Sequence, residues 1–240
     1  MSPTTTQLPG RPASPSAATD VLRLPPRQRL KVSEIFYSLQ GESTFAGLPC
    51  VLVRLVGCQM RCRWCDTEYA FHGGEWMSLD DVVRRVRELD CPLVELTGGE
   101  PLLQPGALPL LERLCDLGLR VLLETGGGLD ISPVDPRVHR IVDVKCPGSG
   151  EHEANLWSNL DELRGSDEVK FVLADEEDYL FAREVIGRHR LVERCPVHFS
   201  VVFGELEPAS VAAWILRDRL AVRLQPQLHK LLWGAETRGV

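Results

Sequence analysis

Hydrophobic residues along this chain fall into short, nearly continuous apolar runs that alternate with longer segments of helical periodicity. The runs at Val51–Val56, Leu93–Leu96, Arg120–Leu123, Arg140–Val144, Val169–Leu173 and Val197–Val202 are rich in β-branched residues, as strands covered on both faces must be. Four helices are expected between them. Leu79–Leu89 carries Leu79, Val82, Val83 and Val86 on one face behind a Ser78/Asp81 capping pair, and Leu108–Leu117 is stopped by Gly118. Asp175 to about His189 and Pro208 to about Leu220 follow, with Pro208 suited to a first helical position. The alternation predicts an α/β domain with a parallel sheet and crossover helices. Six strands predict a partial, open β/α barrel, a parallel sheet too short to close as eight strands do.

The pattern is absent from Met1 to about Arg29, which is rich in Pro, Ser, Thr and Ala and lacks hydrophobic periodicity. Such a segment cannot bury enough surface to offset its ordering entropy, so residues 1–29 are expected to be a disordered tail and residues 30–240 one folded catalytic domain. With 240 residues and 44% hydrophobic composition, the chain can bury one sizeable core. No run approaches the length of a membrane span, so no membrane partner is expected. A net charge of -7 argues against a surface that attracts nucleic acid by charge alone. The N-terminus shows no apolar signal core after a basic start, so the reducing cytoplasm is the expected compartment and disulfides are not expected.

The cysteines then change the picture. Cys58, Cys62 and Cys65 read C-x3-C-x2-C, whereas Cys50, Cys91, Cys115, Cys146 and Cys195 stand singly. A structural zinc site wants two closely spaced ligand pairs, and only one cluster is present. A [4Fe-4S] cluster has four irons, each normally held by a thiolate, so three thiolates leave one iron open to a small molecule. Several predicted strands end in polar or glycine-rich residues, where parallel sheets place their ligands. The cysteine loop follows the first strand, Thr97-Gly98-Gly99-Glu100-Pro101 the second, Glu124-Thr125-Gly126-Gly127 the third and Asp143-Val144-Lys145-Cys146-Pro147 the fourth, while Ser200 lies late in the sixth.

Cys58, Cys62, Trp64 and Cys65 resemble the C-x3-C-x-aromatic-C motif of the radical S-adenosylmethionine superfamily, and Thr97-Gly98-Gly99-Glu100 resembles its glycine-glycine-glutamate segment. The segment Phe36 to Ser43, with Gln40-Gly41-Glu42, is similar to the opening of the 7-carboxy-7-deazaguanine synthases. Further similarities are Arg54 in Val53-Arg54-Leu55, Cys65-Asp66-Thr67, Glu124-Thr125-Gly126, Asp143 to Pro147, and Gln225 to Lys230. Ser43 stands where that family often has glycine, and Gly127 also departs from its pattern.

The resemblance implies conversion of 6-carboxy-5,6,7,8-tetrahydropterin into 7-carboxy-7-deazaguanine with loss of ammonia, a step toward queuosine-type modified tRNA bases. It implies a [4Fe-4S] cluster on Cys58, Cys62 and Cys65, S-adenosylmethionine on the open iron, and Mg2+ held in part by Thr67. Trp64, Gly98, Gly99, Glu100, Thr125, Lys145 and Ser200 become candidates for contact with S-adenosylmethionine. Gln40, Glu42, Arg54, Thr97, Glu124 and His229 become candidates for contact with the pterin. The radical comes from the cofactor, so no side chain is assigned a catalytic step. A one-electron donor such as flavodoxin or ferredoxin and a homodimer are also implied.

Residue chemistry is compatible with several of these roles. Arg54, in an apolar strand, is expensive to bury unpaired, so a carboxylate of a strand neighbour or of the substrate should face it. From the residues alone, Thr67 reads as a loop or cap residue sooner than as a ligand. Two other functions are compatible with the cysteines: a glycyl-radical-activating enzyme acting on a protein, and a non-catalytic iron-sulfur or zinc binding module. The second requires a fourth protein ligand.

Overall fold

The structure, a computed structural model, describes residues 20–235 and 237–240. The expected tail therefore lies, through residue 19, outside the described residues. Beyond it, a 3-10 turn over Pro26–Gln28 leads directly into the first strand, so defined structure begins before the expected boundary at Leu30.

All six expected strands are present within a residue or two of their expected limits. They are β2 (Pro49–Leu55), β4 (Leu93–Gly98), β5 (Arg120–Thr125), β6 (His139–Asp143), β7 (Glu168–Leu173) and β8 (Val197–Val201), paired in parallel in that order. Three unexpected strands extend the sheet to nine among the described residues. β1 (Arg29–Leu39) runs antiparallel to β2, β3 (Glu75–Ser78) pairs antiparallel with β1, and β9 (Arg223–Leu224) adds to β8. A bulge between Val32 and Glu34 shifts the register of β1 and breaks the alternation that would mark it. β3 and β9 are too short to carry a period.

Helices α1 (Leu79–Glu88), α2 (Ala107–Asp116), α3 (Glu176–His189) and α4 (Pro208–Asp218) match the expected four, and α5 (Leu228–Trp233) is a short addition. Ser78 caps α1 by accepting from the Asp81 N–H at 3.1 Å, and Asp175 caps α3 by accepting from that of Asp178 at 2.9 Å. Between β6 and β7 the crossover is made by 3-10 turns at Pro147–Ser149, His152–Ala154 and Trp157–Leu160, not by an α-helix.

Alternation along the strands gives the sheet two unlike faces. One carries Val53, Leu55, Val94, Leu96, Val121, Leu123, Val169 and Phe171, all buried with the inner faces of the helices. The other carries Arg54, Glu95, Thr97, Glu124, Asp143 and Lys170 around a cavity of about 290 Å3. The β1–β2 turn folds under this polar face at the N-terminal ends of the strands. There the Thr44 N–H donates to Glu168 Oε2 at 2.9 Å, while His139 Nε2 and His198 Nε2 each lie 2.7 Å from the same carboxylate.

Burial would raise the Glu168 carboxyl, but its hydrogen bonds to His139, His198 and Thr44 outweigh it and hold the group far below the usual range. A carboxyl lowered on folding adds stability above its unfolded value, and that stability is lost as pH falls toward the folded one. Stability should therefore decline as pH drops below about 4.3. Glu168→Gln is expected to be less stable near neutrality and to show a shallower acid limb, as measured by urea unfolding at a series of pH values.

Candidate active site

The three cysteines lie on the loop between β2 and β3, beside the C-terminal mouth of the polar face, and all are partly exposed to the cavity. The loop is anchored from both sides. Gly57 N–H donates to Ala70 O at 2.9 Å, Arg63 N–H to Ser149 O at 3.0 Å and Arg61 N–H to Glu151 Oε1 at 2.6 Å. Among the described residues, no three His, Cys, Asp or Glu side chains converge on one ion position. A four-coordinate zinc site needs such convergence, whereas each thiolate of a [4Fe-4S] cluster binds its own iron and needs none. Burial pushes the Cys58 and Cys62 thiols up, and the nearby Lys145 ammonium opposes that shift.

The tip of β4 presses backbone against this loop. Glu100 N–H donates to Gly57 O at 2.8 Å, and a methyl on Gly99 would overlap the Gly57 carbonyl and lie 2.9 Å from Cys58 Cβ. Gly98 and Gly99 line the cavity beside the cysteines. Glu100 does not. Its carboxylate is 1% exposed and accepts from Leu102 N–H at 3.0 Å, Gly126 N–H at 2.8 Å and Thr125 Oγ1 at 2.9 Å. In this structure the group expected to face a ligand ties the tips of β4 and β5 together. Ser200 likewise lies outside the cavity lining, its buried hydroxyl donating to Gln225 O at 2.9 Å.

The remaining sequence-predicted residues share one cavity. Trp64, Thr67, Thr125 and Lys145 lie at the cysteine side, with Lys145 Nζ 2.8 Å from Asp143 Oδ2. Burial disfavours the Lys145 charge, but Asp143 outweighs it and holds the ammonium protonated. Thr67 Oγ1 lies 3.7 Å from Cys65 Sγ, at the start of the 3-10 turn Glu68–Phe71.

At the opposite side, Lys170 Nζ lies 2.7 Å from Glu42 Oε2 and 2.5 Å from Glu124 Oε1, with Asp143 Oδ2 at 3.8 Å. Burial would raise the Glu124 carboxyl, but the Lys170 ammonium holds it below the usual range. Glu42 also accepts from Gln227 Nε2 at 2.7 Å, and Thr97 Oγ1 donates to Glu124 Oε2 at 3.3 Å. Gln40 bridges inward, its amide donating to Glu95 while its Oε1 accepts from the Glu42 N–H at 2.6 Å.

Arg54 meets Glu34, its register partner on β1: Nε donates to Oε1 at 2.8 Å, and Tyr69 OH donates to the same oxygen at 2.8 Å. The carboxylate facing Arg54 in the protein is therefore a strand neighbour's. Among the described residues the Arg54 Nη groups carry no protein hydrogen bond, and the residue lines the cavity.

The C-terminal segment closes this side. Leu228 N–H donates to Gly41 O at 2.9 Å, and His229 packs so closely over Gly41 that any Cβ there would strike its ring. Burial lowers the His229 imidazole against the pull of Glu42 and Asp66. Lys230 Nζ reaches Asp66 Oδ2 at 2.8 Å and so links α5 to the cysteine loop.

Sequence reasoning missed Glu95, Lys170, Glu34 and Tyr69. For Glu95 and Lys170 a signal existed, since each interrupts an apolar strand as Arg54 does. Glu34 and Tyr69 carried none, because β1 and the turn at Tyr69 were not expected.

Residues 52–145 match the Radical SAM superfamily. The chain is 52% identical over 214 residues to a 7-carboxy-7-deazaguanine synthase of Chlorobaculum tepidum, covering 88% of this chain and 97% of that protein. It is 46% identical over 227 residues to a 7-carboxy-7-deazaguanine synthase of Koribacter versatilis, covering 88% and 100%. Its fold is similar to the crystal structure of QueE from Escherichia coli, with a TM-score of 0.67 and 23% identity over 84% of this chain and 95% of that one.

Lys170→Met removes the ammonium that holds Glu42 and Glu124. Breaking a buried ion pair from one side costs about 3–5 kcal/mol. A loss of this order is expected in denaturant unfolding, with Lys170→Arg recovering part of it.

Proposed function

The chain belongs to the 7-carboxy-7-deazaguanine synthase family of the radical SAM superfamily, and we propose that its cavity holds the pterin between the Lys170 carboxylates and the cysteine loop. The protein is a radical SAM lyase that converts 6-carboxy-5,6,7,8-tetrahydropterin into 7-carboxy-7-deazaguanine with loss of ammonia. Its cofactors are a [4Fe-4S] cluster, S-adenosylmethionine and Mg2+. When bound, the cluster and S-adenosylmethionine together supply the radical that takes hydrogen from the substrate.

The observation that carries the placement is the single cavity flanked by the cysteine triad on one side and by Glu42, Glu124 and Arg54 on the other. Cys58, Cys62 and Cys65 hold the cluster in this reading. Gly98 and Gly99 bring backbone close to the methionine end of the cofactor, with Trp64, Thr125 and Lys145 around it. The Lys145 ammonium, kept charged by Asp143, suits a carboxylate. Glu42 and Glu124 offer carboxylate acceptors to the amino and ring N–H groups of the pterin edge. Gln40 and Thr97 brace these acceptors. The free Nη edge of Arg54, with His229 also lining the cavity, suits the pterin carboxylate.

Thr67 supplies one hard oxygen for Mg2+, the rest of its shell coming from substrate and water. Electrons reach the cluster from a flavodoxin- or ferredoxin-type protein, and the enzyme works as a homodimer in the cytoplasm. Among the described residues no helix is long and apolar enough to cross a membrane.

Anaerobic assay of reconstituted protein with dithionite, S-adenosylmethionine and the pterin, followed by mass spectrometry, tests the reading. Wild type is expected to form 7-carboxy-7-deazaguanine, and Cys62→Ala to lose both product and cluster absorbance. 5′-Deoxyadenosine without that product would point to another substrate, including a protein. Thr67→Ala is expected to raise the Mg2+ concentration needed for half-maximal turnover while leaving substrate-independent 5′-deoxyadenosine formation unchanged.

A further inference from the structure

Glu95 lies in the middle of β4 at the floor of the cavity, on the same face as Thr97 and deeper than it. Its register neighbours are Leu52 on β2 and Leu122 on β5, and it is 2% exposed. The polar groups that face it are Gln40 and Glu42 from the β1–β2 turn, Cys50 and Arg54 from β2, Glu124 from β5 and Lys170 from β7.

The three cations along the sheet face of the cavity are engaged elsewhere. Lys170 contacts Glu42, Glu124 and Asp143, Lys145 contacts Asp143, and Arg54 contacts Glu34. Among the described residues Glu95 has no ion-pair partner, and its one side-chain hydrogen bond comes from the Gln40 amide to Oε2. An ionised carboxylate flanked by leucines and facing two other carboxylates would carry a large uncompensated desolvation cost. Where carboxylates share a site, the proton settles on the one that no cation holds. Burial, Glu124 and Glu42 all push the Glu95 carboxyl well above its ordinary value, while Lys170 keeps Glu124 ionised.

We propose that Glu95 is a protonated carboxyl that donates a hydrogen bond from the cavity floor to an acceptor atom of the bound heterocycle, and so is a specificity-determining residue. Because the Gln40 amide occupies Oε2, the O–H belongs on Oε1. The floor then offers acceptors at Glu42 and Glu124 and a donor at Glu95. That pattern complements an aminopyrimidinone edge, where N–H donors adjoin a carbonyl or bare ring nitrogen. A ring bearing N–H at the acceptor position would set donor against donor and be rejected. The inference rests on the pterin reading of the cavity.

Two substitutions and one spectrum test it. Glu95→Gln keeps a donor and an acceptor without charge, and KM for the pterin should stay within about threefold of wild type. Glu95→Met fills the space with neither, and KM should rise about 10- to 100-fold. Infrared difference spectra of the wild type should contain a protonated-carboxyl band that is absent from Glu95→Gln and shifts when pterin is added. Equal losses in the Gln and Met variants would mean that an ionised carboxylate is required, which overturns the proposal. A Met variant with wild-type KM, or a band that ignores the pterin, would reduce Glu95 to a brace for Gln40 and overturn it as well. Product formation by wild type is scored separately and tests the family reading, whereas the infrared response reports on Glu95 whether or not turnover occurs.

Discussion

The Lys170 ammonium is the interaction on which the cavity depends. It sits on the inward face of β7 and draws Glu42 from the β1–β2 turn, Glu124 from β5 and Asp143 from β6 toward one point. A lone buried ammonium or a cluster of buried carboxylates would each be prohibitive, but together they offset much of each other's desolvation. The turn that carries Glu42 is in turn fixed by Glu168 under the sheet and by Gln225, whose amide both accepts from Ser43 N–H and donates to Ser43 O, each at 2.6 Å. The acceptors of the site are therefore held by the fold before any ligand arrives, which lowers the ordering cost of binding.

This arrangement requires a sheet whose two faces do different work. The helix-covered face supplies the apolar burial that stabilises the domain, with Val53, Leu96, Leu123 and Phe171 completely buried. The other face can then tolerate an unusual density of charge, because nearly every group there is matched by a neighbour. The cysteine loop needs no such burial. It is held by backbone hydrogen bonds to the β4 tip and to the 3-10 turns after β6, which leaves the three thiols partly open to the cavity.

Much of this was legible in the sequence, and the exceptions have physical causes. The six parallel strands were recognisable because their runs are apolar and β-branched apart from the few polar residues that face the cavity, and the helix ends because Ser78, Asp175 and Gly118 do specific capping work. β1 escaped because its bulge breaks the period, and Glu34 escaped with it. Arg54 was singled out as a charge in an apolar strand, and the same reasoning applied to Glu95 and Lys170 would have found the floor of the cavity. Glu100 and Ser200 show what spacing does not reveal. Both stand near the right strand ends, but backbone donors claim the one and a backbone acceptor the other, a competition that no linear pattern displays.

The wall built by Gln225, Gln227, His229 and Lys230 reaches the β1–β2 turn, Glu42 and the cysteine loop from the far end of the chain. The order in which the polypeptide is synthesised therefore separates the two halves of the site. A nascent chain halted just before Gln225 already contains all three cysteines, the Gly98-Gly99 strand tip and Lys170, yet lacks the side that closes over Gly41 and clasps Asp66. A protein truncated by a premature stop in this region would keep its helix-covered core and its thiols and lose the enclosure between them.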